Sequence, residues 1–319
     1  MKTIIGAACS VGLAVLVFVG GTARAEYIDT MEFEIESGYR IDDFDWNIAG
    51  DSANVLSELT WKDLGIYQVG ASGKLAIGNE YAGFLTYIRG SFDYGWILNG
   101  DWQDSDFHGN NRAIEYSRSI GTTEDDNVLD GSIGLGFQGK FWQDRLAIAP
   151  LGGYSYHKQN LRNTNAFQQI SDTRFALNLP PVGPIPGLNE TYEAVWWGPW
   201  AGVDLEYTPF PRFSLLGTFE YHWADYKADA DWNLRTDFAH PVSFTHKAND
   251  ASGILAKVTG RYLLARTWAL DLSYTYQNWQ AKDGTDTTFL STGATSTTKL
   301  NEVNWKTSAF IVGLSYKFF

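Results

Sequence analysis

From Met31 to Ile41 the side chains alternate in kind: Phe33, Ile35 and Tyr39 fall on one face, and Glu32, Glu34, Glu36 and Arg40 on the other. A period of two is the signature of a β-strand, since successive side chains point to opposite faces. The apolar face matches a lipid-facing wall, and the charged face suits a wet lumen better than a soluble core. The alternation returns from Val128 to Trp142 through Leu129, Ile133, Leu135, Phe137 and Phe141. It returns again at the C-terminus, through Phe310, Val312, Leu314, Tyr316 and Phe318 before the final Phe319.

Aromatic residues make up 15% of the chain, with 13 Trp, yet mean hydropathy is only -0.23. After residue 25 no run reaches the ~18 apolar residues that a membrane helix needs. A transmembrane β-barrel reconciles these figures, because only alternate residues meet lipid while Trp and Tyr gather in girdles at the two interfaces. Residues 1–25 read as a secretory signal: Lys2, an apolar run from Ile4 to Gly20, and Thr22-Ala23-Arg24-Ala25 as the cleavage pattern. Cleavage after Ala25 removes Cys9, the only cysteine, and with it any disulfide scaffold. It also removes Lys2 and Arg24, taking the formal charge from -13 to -15. So acidic a surface argues against nucleic acid as a partner and favours cationic ones.

The rest reads as one domain, residues 26–319. Strand patterns run from Val55 to Gly78 with a bulge at a glycine, from Tyr81 to Trp102, from Leu146 to Tyr156, and from Tyr192 to Tyr207. Others cover Phe213 to Trp223 with a polar extension to Arg235, Ile254 to Leu264, Trp268 to Trp279, and Leu300 to Phe319. Short turns near 79 (Asn79-Glu80), 143, 210 and 266 alternate with polar loops expected over Asp42–Asp51, 103–127, 160–190, 236–249 and 281–299. That rhythm predicts an all-β fold, a transmembrane antiparallel up-and-down barrel of about ten strands with long extracellular loops. The expected location is the outer membrane of a Gram-negative cell, with the protein a monomer. Ten strands make a narrow barrel, which ranks a diffusion pore last among functions. Several strands exceed the ~9–11 residues a bilayer needs, so the barrel should project above it.

Where a strand gives way to polar residues stands Asn99-Gly100-Asp101-Trp102-Gln103-Asp104-Ser105. This run, with Ser57-Glu58-Leu59-Thr60-Trp61-Lys62, Tyr192, Pro199-Trp200-Ala201-Gly202 and Phe213 to Tyr221, resembles the omptins, outer-membrane endopeptidases on a ten-stranded barrel. The resemblance follows the chain in order over nearly its whole length after residue 25. It implies two aspartates at i and i+2, facing an Asp-x-His pair across the rim and activating a water. The first pair falls on Asn99 and Asp101. The second, aligned without a gap from Phe213, falls on Asp231 and Asn233. Asp104 and Asp229 are supporting acids, since a one-residue shift pairs Asp229 with Asp231. Asparagine cannot take up a proton near neutral pH, so the water-activating pair is altered as aligned. His222 on the same strand and His240 and His246 in the next loop are candidates for a displaced base, and Asp101 with Asp231 for a proton-sharing carboxylate pair.

The resemblance also implies lipopolysaccharide on the outer wall at Tyr154 and Lys158, although Tyr156 stands where the family has an acid and Val195 where it has an arginine. No metal-spaced His/Cys/Asp/Glu cluster and no phosphate loop is present, so no cofactor is expected beyond a bound lipid. Asn189-Glu190-Thr191 matches a glycosylation sequon and reads as chance. Three functions follow: an endopeptidase for cationic peptides, a non-catalytic adhesin for host-surface proteins, and a narrow pore.

Overall fold

The computed structural model describes residues 26–51, 53–79, 83–176 and 178–318. The expected signal segment, Glu80 of the first turn and the terminal Phe319 lie outside them. The described strands are β1 (Glu26–Gly50), β2 (Ala53–Asn79), β3 (Leu85–His108), β4 (Ile114–Thr122), β5 (Asp126–Phe141) and β6 (Leu146–Ser171). They continue with β7 (Gly183–Pro184), β8 (Glu190–Phe210), β9 (Phe213–Asp231), β10 (Phe244–Leu263), β11 (Trp268–Phe289) and β12 (Thr295–Lys317).

Neighbours in the chain pair antiparallel, and β1 closes the ring by pairing β12 from Glu32↔Lys317 to Ile48↔Leu300. β4 and β5 share one place in that ring. The lower part of β3 pairs β5, its upper part pairs β4, and β6 flanks both on the other side. The two-residue β7 is a flap on β6. The result is a closed barrel of about ten strand positions, as the turn rhythm predicts. The expected bulge in β2 sits beside Gly65, where the register to β3 shifts on both sides.

The polar stretches read as loops are mostly strand. β1 runs through Asp42–Gly50, β3 and β4 take up most of 103–127, and β6 continues to Ser171. β10 starts at Phe244, and β11 and β12 leave only 290–294 between them. Ladder hydrogen bonds need no apolar side chain, so a wall standing in water keeps its strands while its outer face turns polar. On β1 the outer face passes from Ile41 (45% exposed) to Asp43. The same change occurs from Leu98 to Asp101, from Tyr156 to Lys158 and from Trp223 to Asp225. Above that level β6 alone continues to Ser171, which at ~3.3 Å per residue and a 45° tilt raises the rim by roughly 30 Å.

Girdles do bound the apolar band. Tyr39, Tyr67, Trp96, Tyr154 and Trp223 mark its upper edge, and Trp142, Phe210, Trp268 and Phe318 its lower one, all well exposed. Tryptophan, however, is mostly inside. Trp46, Trp61, Trp102, Trp196, Trp200, Trp232, Trp279 and Trp305, eight of the thirteen, are buried. Most of them join Phe44, Leu59, Tyr192 and Phe244 in a cluster that fills the upper lumen from all around the ring. Trp279 stacks on Trp305 at 5.5 Å, and Trp196 packs on Tyr226 at 4.4 Å. Below this plug the lumen is ionic. Arg40, 1% exposed, bridges Asp42 and Asp130, while Arg261 bridges Glu32 and Asp271. A smaller cluster of Ala76, Leu85, Tyr87, Ala149, Leu151 and Trp200 packs lower still.

Candidate functional site at the tall rim

Strand alternation decides where each predicted residue points. Trp102 is 2% exposed and donates its indole N–H to the Thr164 carbonyl at 3.1 Å, so it faces inward and Asp101 faces outward. Asp101 is exposed on the outer wall, paired across the ladder with Lys62 and Thr122. Asn99 also points out, its amide oxygen lying beside the Tyr39 hydroxyl over Gly65. On the other side of the ring Ala230 and Trp232 are buried, which turns Asp229 and Asp231 outward. Asp101 and Asp231 therefore do not meet across a cleft: a carboxylate on an outer wall has the whole barrel between it and its counterpart.

Asp229 is bridged by Lys227 at 2.7 Å. Asn233 accepts from the Asn189 N–H at 2.9 Å and donates to the Gly187 carbonyl at 2.9 Å, a structural tie between two rim segments. His222 and His246 face into the barrel, bonded to Glu220 and to Tyr192 respectively. Tyr154 is half exposed on the outer wall, and Lys158 is bridged to Glu193 at 2.7 Å and stands opposite Val195.

A histidine does reach Asp231. His240 Nδ1 lies 2.5 Å from Asp231 Oδ1, and its Nε2 lies 3.2 Å from the Arg235 carbonyl. Both ring nitrogens face acceptors, an arrangement that the protonated ring satisfies in full. The Asp231 hydrogen bond lifts the His240 pKa accordingly. A general base needs one nitrogen free to accept, so this pair latches segment 232–243 in place of activating water. His240 also lines an outer groove of about 530 Å³ with Lys227, Asp229, Pro241, Val242 and Leu290.

Acids that face the lumen lie two positions further along β3. Asp104 and Asp106 share the inner face with Trp102, and Ser57 Oγ donates to Asp104 at 3.4 Å. Glu190, 7% exposed, opens β8 beside them. It accepts from Asn163 Nδ2 at 3.1 Å, and Asn163 in turn accepts from Trp61 Nε1 at 2.8 Å, which seats the carboxylate on the plug. The cation here is Arg235, bridged to Asp237 at 2.9 Å and stacked over Phe238 at 4.0 Å. Burial pushes the Asp104 and Asp106 carboxyls up, Asp106 adding repulsion at Asp104 and Arg235 opposing both. Burial also pushes Glu190 up to about 7, with Asp106 and Asp231 adding and Asn163 and Arg235 opposing. The mouth thus holds three acids of weakened acidity, one poised near neutrality.

Of the sequence candidates, only Asp104 belongs to this mouth; Asp106, Glu190 and Arg235 were missed. The signal for Asp106 was present, since Asp104-Ser105-Asp106 has the i, i+2 spacing. Glu190 lay inside the sequon-like triplet, where nothing marked it as buried.

The match to known proteins accords with this geometry. The sequence matches the family described as Pom, Protochlamydia outer membrane protein, over residues 34–318. The chain belongs to that family. Among solved structures, outer membrane protease OmpT from Escherichia coli superposes with a TM-score of 0.74 at 14% identity, covering 93% of this chain and 99% of that one. A Pseudomonas aeruginosa FadL homologue reaches a TM-score of only 0.33 at 11% identity, covering 91% of each chain. No curated protein sequence matches the chain. This Pom protein is therefore an outer-membrane barrel that shares the OmpT fold, and at 14% identity the likeness extends to the fold alone.

Proposed function

We propose that the tall rim faces the cell exterior and that the mouth of this barrel binds cationic segments of peptides or surface proteins without cutting them. One observation carries the reading: Asp104, Asp106 and Glu190 line an inward-facing mouth where, among the described residues, the guanidinium that offsets them is that of Arg235, itself already bridged to Asp237. An incoming Lys or Arg would supply the charge that ionises these acids, gaining hydrogen bonds that exposed acids do not match. The omptin-like pairs support no cleavage, because Asp101 and the Asp231–His240 pair face outward. On the outer wall Tyr154 would lie against lipid, and a lipopolysaccharide phosphate would have to displace Glu193 from Lys158.

Isothermal titration of the detergent-purified protein with a basic peptide tests this. Asp104→Asn with Glu190→Gln should weaken binding at least tenfold, whereas Asp101→Asn should leave it unchanged. Equal affinity for all three would sink the binding reading. Hydrolysis is the second reading, favoured by Glu190 titrating near neutrality beside Asp106. It predicts peptide fragments in mass spectra that vanish in Glu190→Gln.

A further inference from the structure

Below the aromatic plug the ion pairs do not balance. Four lumenal cations, Arg40, Arg89, Lys257 and Arg261, are bridged to seven carboxylates. Glu34 and Asp93 face the same space with no cation bridged to either, so nine carboxylates share those four cations. Lys74, which also lines the space, brings the cations to five. Uncompensated charge in a dry interior is costly, and proteins pair it, protonate it or bind an ion against it.

The deficit is localised by two glycines. Glu36 is paired across the ladder with Gly70 on one side and Gly313 on the other. Into the room left by the missing side chains lean two more acids. Asp93 Oδ1 sits 2.0 Å from where a Cβ at Gly70 would be, and Glu34 Oε1 sits 2.0 Å from where a Cβ at Gly313 would be. Two carboxylates thereby flank a third, that of Glu36, one on the side of each neighbouring strand. Lys257, 3.0 Å from Glu36, is the single cation bridged to any of them. Asp93 accepts from Gln68 Nε2 at 3.0 Å and lies within hydrogen-bonding reach of Glu36, and Glu34 Oε2 accepts from Ser72 at 3.4 Å.

Independently of that charge count, polar atoms here lack partners. Glu34 is 7% exposed and its Oε1 has no hydrogen bond; His157 is 3% exposed and its Nε2 has none. Both residues line a cavity of about 140 Å³, room for several waters. Among the described residues no three His, Cys, Asp or Glu side chains converge as metal ligands, which argues against a multidentate divalent site.

We propose that this cavity holds a hydrated monovalent cation of sodium or potassium size, bound by Glu34 and Asp93 beside Glu36. The ion would complete the charge balance of the lumen and stabilise the barrel from within, independently of what the mouth binds.

Thermal unfolding of the full barrel tests it in sodium, potassium and N-methylglucamine chlorides at equal ionic strength. Sodium or potassium should raise the midpoint over the bulky cation, and Glu34→Gln with Asp93→Asn should erase the difference. A thallium-soaked crystal of the wild-type protein gives a readout that needs no variant, an anomalous peak between Glu34 and Asp93. Equal midpoints in all three salts together with no peak would overturn the proposal. So would a midpoint that rises with acid alone and shows no preference among cations, since bound protons would then do the balancing.

Discussion

The two halves of the lumen solve the problem of filling a narrow barrel in opposite ways. The upper half packs Trp46, Trp61, Trp196, Trp279 and Trp305 edge to face and face to face. The lower half pairs charges in a network with Arg40 and Arg261 at its nodes. They meet at Arg40, whose guanidinium lies 5.4 Å from the Trp305 ring, and at Asp42, which accepts from Trp305 Nε1 at 3.0 Å. An aromatic plug gains from burial and tolerates substitutions that keep its volume. A buried ion network gains little net energy but fails badly when one partner is lost. The plug should therefore set how tightly the barrel is closed, and the network how intolerant it is of change.

The sharpest break between the halves should come from Arg40→Ala, which leaves Asp42 and Asp130 buried without their cation. Its expected cost is ~3–5 kcal/mol in denaturant unfolding, and Arg40→Lys should recover only part of it. Trp305→Ala should cost a similar or slightly smaller ~3–5 kcal/mol. It differs in kind, because it also removes plug volume. In planar bilayers the wild type should show no steady conductance and Trp305→Ala should show some; a conducting wild type would refute the plugged lumen.

A smaller effect is expected where the plug meets the mouth. Glu190 has a folded-state pKa raised from about 4.5 to about 7, so the folded state holds its proton more tightly than the unfolded chain. Stability should then fall as pH rises from about 4.5 to 7, by on the order of 3 kcal/mol at most. Glu190→Gln should flatten that slope, and a slope unchanged in the variant would assign it elsewhere. The smallest effect belongs to the His240–Asp231 latch. Because the His240 pKa is raised, its contribution is complete below the unfolded value and is lost as pH rises through the folded one. Protease nicking within 232–243 should accelerate over that range and be uniformly fast in His240→Ala, with global unfolding unchanged.

Much of the scaffold was legible because period-two alternation is a local property: Phe33, Ile35 and Tyr39 announce a lipid-facing wall whatever lies across the barrel. The site was less legible for the same reason. Asp101 and Asp104 look alike in sequence. They stand three positions apart on an unbroken register of β3 against β2, so alternation turns one out and the other in, and the register shift beside Gly65, just before Asp101, sets which is which. Glu190 is acidic in sequence, but its buried environment is built by Asn163, Trp61 and Asp106 from three other strands.

What the sequence determined by itself is the wall: strand spacing, an apolar band, short turns at one end, and an exposed acidic chain. Tertiary structure decided what the wall encloses, since tryptophans that composition assigns to membrane girdles serve equally well as a plug. The physical reason is that lipid and a packed lumen both reward apolar area removed from water, and neither leaves a mark on the pattern along one strand. Only closure of the ring brings Trp46, Trp196, Trp279 and Trp305 from four separate strands into one cluster.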